Sequence, residues 1–218
     1  MCGRFALSAI PRPLLEMFGL KMPTIMPRYN IAPTQTVPVV LRDPGGFTVQ
    51  ELVWGLIPYW VKDSRVGARS INARAETVAD KPTFREPFRK RRCLVPASGF
   101  YEWRKGPGRT RTPFYFTAAD DQRPLIFAGL WDEWRHDDDT VRSFTIITTG
   151  ADSRMASFHD RMPLVLEPTI WRRWLEGTAD EALTILHENS GIPHDYREVD
   201  IYVNKVANKG EWCIQSLA

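Results

Sequence analysis

Cysteine is scarce in this 218-residue chain: Cys2, Cys93 and Cys213 are three, an odd number spread over its whole length. Such spacing argues against a disulfide framework, and no CxxC pair offers ligands to a metal. Long apolar runs are missing as well. Nothing approaches the ~18–20 apolar residues of a membrane span, and the opening MCGRFALSAIPRP lacks the h-region of a secretory signal. A cytoplasmic or nuclear location is expected. No Gly/Ser-rich or acidic linker divides the sequence and no internal repeat is visible, so one domain over residues 1–218 is expected. A Walker loop, a GxGxxG turn and a Ser-centred elbow are all absent, leaving nucleotide cofactors and the common hydrolase classes without support. No cofactor and no metal is expected.

What is present begins with an apolar share of 43%, enough to build a core and to exclude a disordered or fibrous chain. The net charge of +3 conceals an asymmetry. Residues 1–112 hold 19 Lys/Arg against 8 Asp/Glu, whereas residues 113–218 hold 10 against 18. A basic face able to meet phosphates is the expectation. Lys81–Arg92 packs six cations with one acid, and the bent segment 54–60 carries Trp54, Tyr59 and Trp60. Cations that track phosphates and aromatics that stack on bases suit single-stranded nucleic acid, although for the basic run taken alone a solvated helix face is the favoured reading.

Short β-branched and aromatic runs bounded by Gly, Pro and Asp predict strands at 36–41, 47–54, 93–96, 114–118, 125–131, 144–149 and 164–166. Turns are expected at Asp43-Pro44-Gly45-Gly46, Asp120-Asp121-Gln122 and 135–139. Helical spacing appears at 13–20 and 168–176, and Thr178 with Glu181 resembles a capping box opening a further helix. The class is α+β, with a mostly antiparallel, strand-rich centre and peripheral helices.

Position matters most at Cys2. Removal of Met1 would make cysteine the N-terminal residue and put an amine and a thiol on adjacent carbons. An α-amino group has a pKa of about 7.7–8.0 against ~10.4 for lysine, so much of it is nucleophilic near neutral pH. Such an amine attacks aldehydes, and the thiol can then close a five-membered thiazolidine. The plain alternative is an inert chain start. His159, in Ser157-Phe158-His159-Asp160-Arg161, falls on a connecting loop, where catalytic groups concentrate and where surface histidines are also common. Glu102, between Tyr101 and Trp103, sits in an apolar setting whose burial would raise its pKa and suit acid/base work; structural pairing with Arg104 or another cation is the alternative. Cys93 and Cys213 read as core residues.

Taken together, MCGRF at 1–5, RYNIAPTQ at 28–35, WGLIPYW at 54–60, SINARAET at 70–77, RRCLVPASGFYEW at 91–103, FAGLW at 127–131, FTIITT at 144–149 and HDRMPLVL at 159–166 resemble the SOS-response-associated peptidase (SRAP) family, the abasic-site processing proteins. The resemblance implies a curved, barrel-like β core and a positively charged channel leading to an N-terminal cysteine. It also implies a covalent thiazolidine between Cys2 and the ring-opened aldehyde of an abasic site, shielding the lesion from strand cleavage. Asn72, Glu102 and His159 match the family's other active-site positions. Arg4, Asn30, Pro33, Trp60, Arg74 and Arg161 are the implied DNA contacts. Where some bacterial members have adjacent tryptophans, this chain has Trp60-Val61. The implied partner is single-stranded DNA bearing an abasic site, single–double junctions included, bound by a monomer; nucleoid association would accompany DNA binding in a bacterial cytoplasm. Peptidase and lyase activities are further implications. An N-terminal-nucleophile thiol peptidase using the same residues on amides remains the competing reading, and a non-catalytic single-strand-binding module the third.

Overall fold

The apolar runs pair into two sheets in the structure, a computed structural model that describes residues 2–120, 124–188 and 194–217. In chain order the described strands are β1 (Phe5–Leu7), β2 (Arg28–Ile31), β3 (Thr36–Asp43), β4 (Gly46–Trp54), β5 (Asn72–Arg74), β6 (Arg92–Ala97), β7 (Gly99–Lys105), β8 (Arg111–Ala118), β9 (Leu125–His136), β10 (Asp139–Gly150), β11 (Arg161–Pro163) and β12 (His194–Glu198). One sheet runs β12-β8-β7-β1-β2. The other runs β11-β10-β4-β3-β6-β9, and β9 pairs again with β10, so that five strands close into a barrel. Closure removes the free edges that an open sheet of this length would present. Strand β10 pairs in parallel with β4 and β5, and the remaining pairs are antiparallel.

Both sheets feed one aromatic core. Phe5 meets Trp54 and Phe127 with ring centroids at 5.1 and 6.1 Å, and Phe100 stacks on Phe116 at 5.1 Å. Each such side chain contributes roughly 2–3 kcal/mol by burial alone. The outer wall of the barrel is covered by α1 (Arg12–Met17), α2 (Pro82–Lys90), α3 (Trp171–Glu176) and α4 (Ala179–Glu188), whose Leu14, Phe88, Trp174 and Ile185 pack with Val40, Leu94 and Ile126. The α+β reading with a mostly antiparallel core and peripheral helices holds.

Most expected strands are present and longer than predicted. The segment 164–166 is the exception, because its hydrogen bonds alternate between two partners: Leu164 donates to Ile147 O of β10 and Leu166 to Ile126 O of β9. No single ladder forms there, and the strand of this region is β11, just before it. The helix expected over 13–20 stops at Met17, ahead of Gly19, whose φ of +64° ends helical geometry. Over 168–176 a 3₁₀ turn, Pro168–Ile170, precedes α3. The capping box is formed: Thr178 N donates to Glu181 Oε2 at 2.7 Å and Glu181 N to Thr178 Oγ1 at 3.2 Å. Turns at 43–46 and 136–139 close the β3–β4 and β9–β10 hairpins. Asp121 and Gln122 of the third expected turn lie outside the described residues.

The basic run 81–92 becomes α2 and the start of β6, and much of its charge is answered internally. Arg92 is buried and donates to the carbonyls of Phe88, Trp174 and Gly177, Arg91 pairs with Asp132 at 2.8 Å, and Lys90 pairs with Glu86 at 3.1 Å.

Candidate active site

The register of β1 on β7 decides where the chain begins. Phe5 lies opposite Phe100, and Tyr101 N donates to Arg4 O at 2.9 Å. Two residues beyond Phe5, the same register brings Gly3 level with Glu102, so Cys2 enters the core beside that carboxyl. Cys2 is fully buried within the aromatic cluster. Asn72, the first residue of β5, is aligned by the parallel pairing Asn72↔Ile146, and its Nδ2 donates to Cys2 O at 2.8 Å. Its Oδ1 is buried and has no hydrogen-bond partner among the described residues.

His159 lies on the β10–β11 connection, as expected. The 3₁₀ turn Met155–Ser157 that delivers it is capped by Asp152, whose Oδ1 accepts from Met155 N at 2.8 Å. Phe158 wedges against Phe114 and Phe116, centroids 4.9 and 5.0 Å away. His159 Nδ1 lies 3.0 Å from Arg161 N and 2.6 Å from Asp160 Oδ1. His159 and Glu102 share the wall of an open cavity of about 970 Å³, with Lys105, Arg111 and Asp160 at the same site.

Burial sets the protonation states. Desolvation raises the Glu102 carboxyl to about 7, so near neutral pH it is poised between donor and acceptor. Desolvation likewise pushes the Cys2 thiol well above the ordinary thiol range, and the Glu102 charge adds to the effect. The thiol is therefore held as S–H until a base removes its proton. His159 is pushed below the ordinary imidazole range, chiefly by burial, which favours the neutral ring. An acid titrating near 7 and a neutral imidazole on one cavity wall make an acid/base pair.

The six DNA contacts implied by resemblance divide into two kinds. Trp60 is 54% exposed beside the 55% exposed Tyr59, and Arg74 is exposed at the end of β5. The aromatic loop is anchored from beneath, since Tyr59 N donates to Asp132 Oδ2 at 3.2 Å and Trp134 Nε1 to Val61 O at 2.7 Å. Pro33 is half-buried in the turn after β2, next to Thr34 at φ +71°. The others are tied into the protein. Arg4 Nη1 donates to Asn30 Oδ1 at 2.6 Å and to Val203 O at 3.0 Å, while buried Asn30 donates onward to the carbonyls of Val203, Lys205 and Asn208. Asn30 thus has both ends of its amide engaged in holding Arg4 and the C-terminal segment. Arg161 is buried and forks onto Glu76 at 2.6 and 2.9 Å.

Sequence reasoning passed over Lys105, Arg111 and Asp160 in the cavity wall. It also passed over His194, whose Nδ1 lies 3.5 Å from Asp152 Oδ2 at the base of the His159 loop. The cluster Arg104, Lys105, Arg109 and Arg111 was the available signal for the first two. No group of His, Cys, Asp and Glu among the described residues has the arrangement of a metal site, and no described helix is long and apolar enough to cross a membrane.

Known proteins resemble this chain along nearly its whole length. The family model described as SOS response associated peptidase (SRAP) matches residues 1–206. The abasic site processing protein YoaM of Bacillus subtilis is 34% identical over 209 residues, covering 93% of this chain and 90% of its own. Its Escherichia coli counterpart YedK is 30% identical, covering 99% of both chains. The crystal structure of a Bacteroides thetaiotaomicron protein superposes over 100% of both chains with a TM-score of 0.84 at 26% identity. A match across nearly all of the sequence, together with one across the whole fold, establishes that the chain belongs to the SRAP family.

Proposed function

We propose that the protein recognises abasic sites in single-stranded DNA, including sites at single–double junctions, and traps them covalently through Cys2 once Met1 is removed. The observation that carries this reading is the convergence on one residue: Asn72 hydrogen-bonds the Cys2 carbonyl while Glu102, with its raised pKa, stands beside it in a cavity shared with His159. Because the abasic sugar is mostly a closed hemiacetal, a proton must reach O4′ and another must leave the C1′ hydroxyl before an aldehyde exists. Protonated Glu102 supplies the first and neutral His159 takes the second. The Cys2 amine then adds to the aldehyde and water leaves, giving an imine. Addition of the thiol to the imine carbon, with transfer of its proton to nitrogen, closes the thiazolidine. One water is lost overall. Asn72 holds the Cys2 backbone while its Oδ1 accepts a hydrogen bond from the amine or a sugar hydroxyl.

A single-stranded oligonucleotide with one abasic site, incubated with protein lacking Met1 and run on a denaturing gel, tests the reading. A heat-stable adduct that disappears in Cys2→Ala and in protein with an uncleaved N-terminal extension is expected. An adduct unaffected by the extension would overturn the imine route. Absence of any adduct, with release of peptide fragments instead, would favour the thiol peptidase.

A further inference from the structure

The β7–β8 hairpin carries a concentration of charge that the chemistry above does not use. Arg104, Lys105, Arg109 and Arg111 fall within eight residues, and no acid occurs from Trp103 to Ala119. Every residue from 104 to 111 is exposed. Arg104 is spoken for, lying 4.4 Å over Phe114 and 5.8 Å over Phe158, which fastens the hairpin to the loop of His159. Lys105, Arg109 and Arg111 have no ion pair among the described residues, in contrast to Arg89, Lys90 and Arg91 of the longer basic run. Lys105 and Arg111 are moreover directly opposed in the ladder. Like charges facing each other across two strands destabilise a hairpin, so this pair costs stability unless an anion lies between the two. Both also line the cavity that holds Glu102 and His159, so an anion held between the two would lie next to the reacting sugar.

We propose that this hairpin is a phosphate clamp: Lys105 and Arg111 share the phosphodiester flanking the abasic sugar, and Arg109, in the loop between the strands, takes the next phosphate along the same strand. The proposal rests on the DNA reading above and adds to it the surface that grips the strand. Bound this way, the backbone is fixed on one side of the lesion while C1′ faces the acid/base pair.

A strand with a tetrahydrofuran ring at the lesion position has no aldehyde, so fluorescence anisotropy with it measures gripping without crosslinking. The variant Lys105→Thr/Arg109→Ser/Arg111→Thr is expected to bind about tenfold more weakly at 50 mM salt, and its plot of log affinity against log salt should be shallower by about 1.4, or ~0.7 for each of the two phosphates no longer neutralised. Lys105→Glu separates charge from folding. It sets opposite charges across the ladder, so the melting temperature should hold or rise while binding falls. Affinity and salt slope equal to those of the unsubstituted protein in either variant would overturn the clamp. Failure of the protein to form an adduct on a genuine abasic strand would count against the crosslinking chemistry alone and would leave this binding result standing.

Discussion

At the scale of single residues, Glu102 shows the conflict between folding and chemistry. Its carboxyl titrates near 7 in the folded protein because burial disfavours the charge, whereas an unfolded glutamate titrates near 4.5. A raised carboxyl pKa means that its contribution to stability is fully present below about 4.5 and is lost as pH rises through 7. By pH 8 the buried charge costs about 3 kcal/mol. Glu102→Gln should therefore raise the urea midpoint at pH 8, leave it nearly unchanged at pH 4.5, and slow adduct formation roughly 100-fold at neutral pH, as expected for loss of a general acid. The unsubstituted protein should lose crosslinking rate above pH 7 as Glu102 ionises, and this falling limb should be absent from the variant. A variant less stable than the parent at pH 8 would show that the carboxylate is held as an ion. The apolar neighbours of Glu102 made its burial legible in the sequence. The hydrogen bond from Asn72 to Cys2 O was not, because 70 positions separate the two and it takes both the β5–β10 and the β1–β7 pairings to bring them together.

At the scale of elements, Arg161 is a residue that resemblance implies for DNA contact and that the fold engages internally. The run HDRMP reads as a loop full of hydrogen-bonding groups, and resemblance makes Arg161 a DNA contact. In the fold it opens β11, its guanidinium turned inward onto Glu76 and the carbonyl of Thr148, while its backbone N–H meets His159 Nδ1. The pair therefore pins β11 beside β5 and with it the imidazole. Arg161 holds Glu76 below the usual carboxylate range, so this stability is present above about pH 4.5 and is lost as pH falls through the lowered value. Glu76→Gln should cost about 2 kcal/mol at pH 7, less than for a fully buried pair because Glu76 is half exposed. It should also slow crosslinking by displacing His159, and its stability deficit should shrink in acid. Unchanged crosslinking with lowered stability would confine the pair to a structural role. Local pattern made β3, β4, β9 and β10 readable, since long apolar runs bounded by turns have few alternatives. Short strands such as β1, β5 and β11 owe their existence to partners far away in sequence, and their own three residues carry too little pattern to announce them.

For the whole molecule, charge in sequence and charge in space turned out to differ. The basic half of the chain spreads over both sheets, and the longest basic run spends Arg92 on backbone carbonyls and Lys90 and Arg91 on Glu86 and Asp132. The cations left facing solvent without an acidic partner include Lys105, Arg109 and Arg111, which gather on one short hairpin bordering the cavity. On the proposed function, DNA would be retained in two stages, one sensitive to salt and one indifferent to it. Encounter depends on displacing counterions from phosphates, and the two phosphates of the clamp at ~0.7 each weaken binding roughly sevenfold between 50 and 200 mM salt. The proposed thiazolidine, being covalent, would be indifferent to screening. Adduct formation at subsaturating DNA should therefore fall steeply over that range, while adduct formed at low salt and then shifted to 1 M should persist undiminished on a denaturing gel. If formation proved as indifferent to salt as persistence, the strand would be gripped through stacking on Tyr59 and Trp60 instead of through its phosphates, and the exposed cations would have no part in capture.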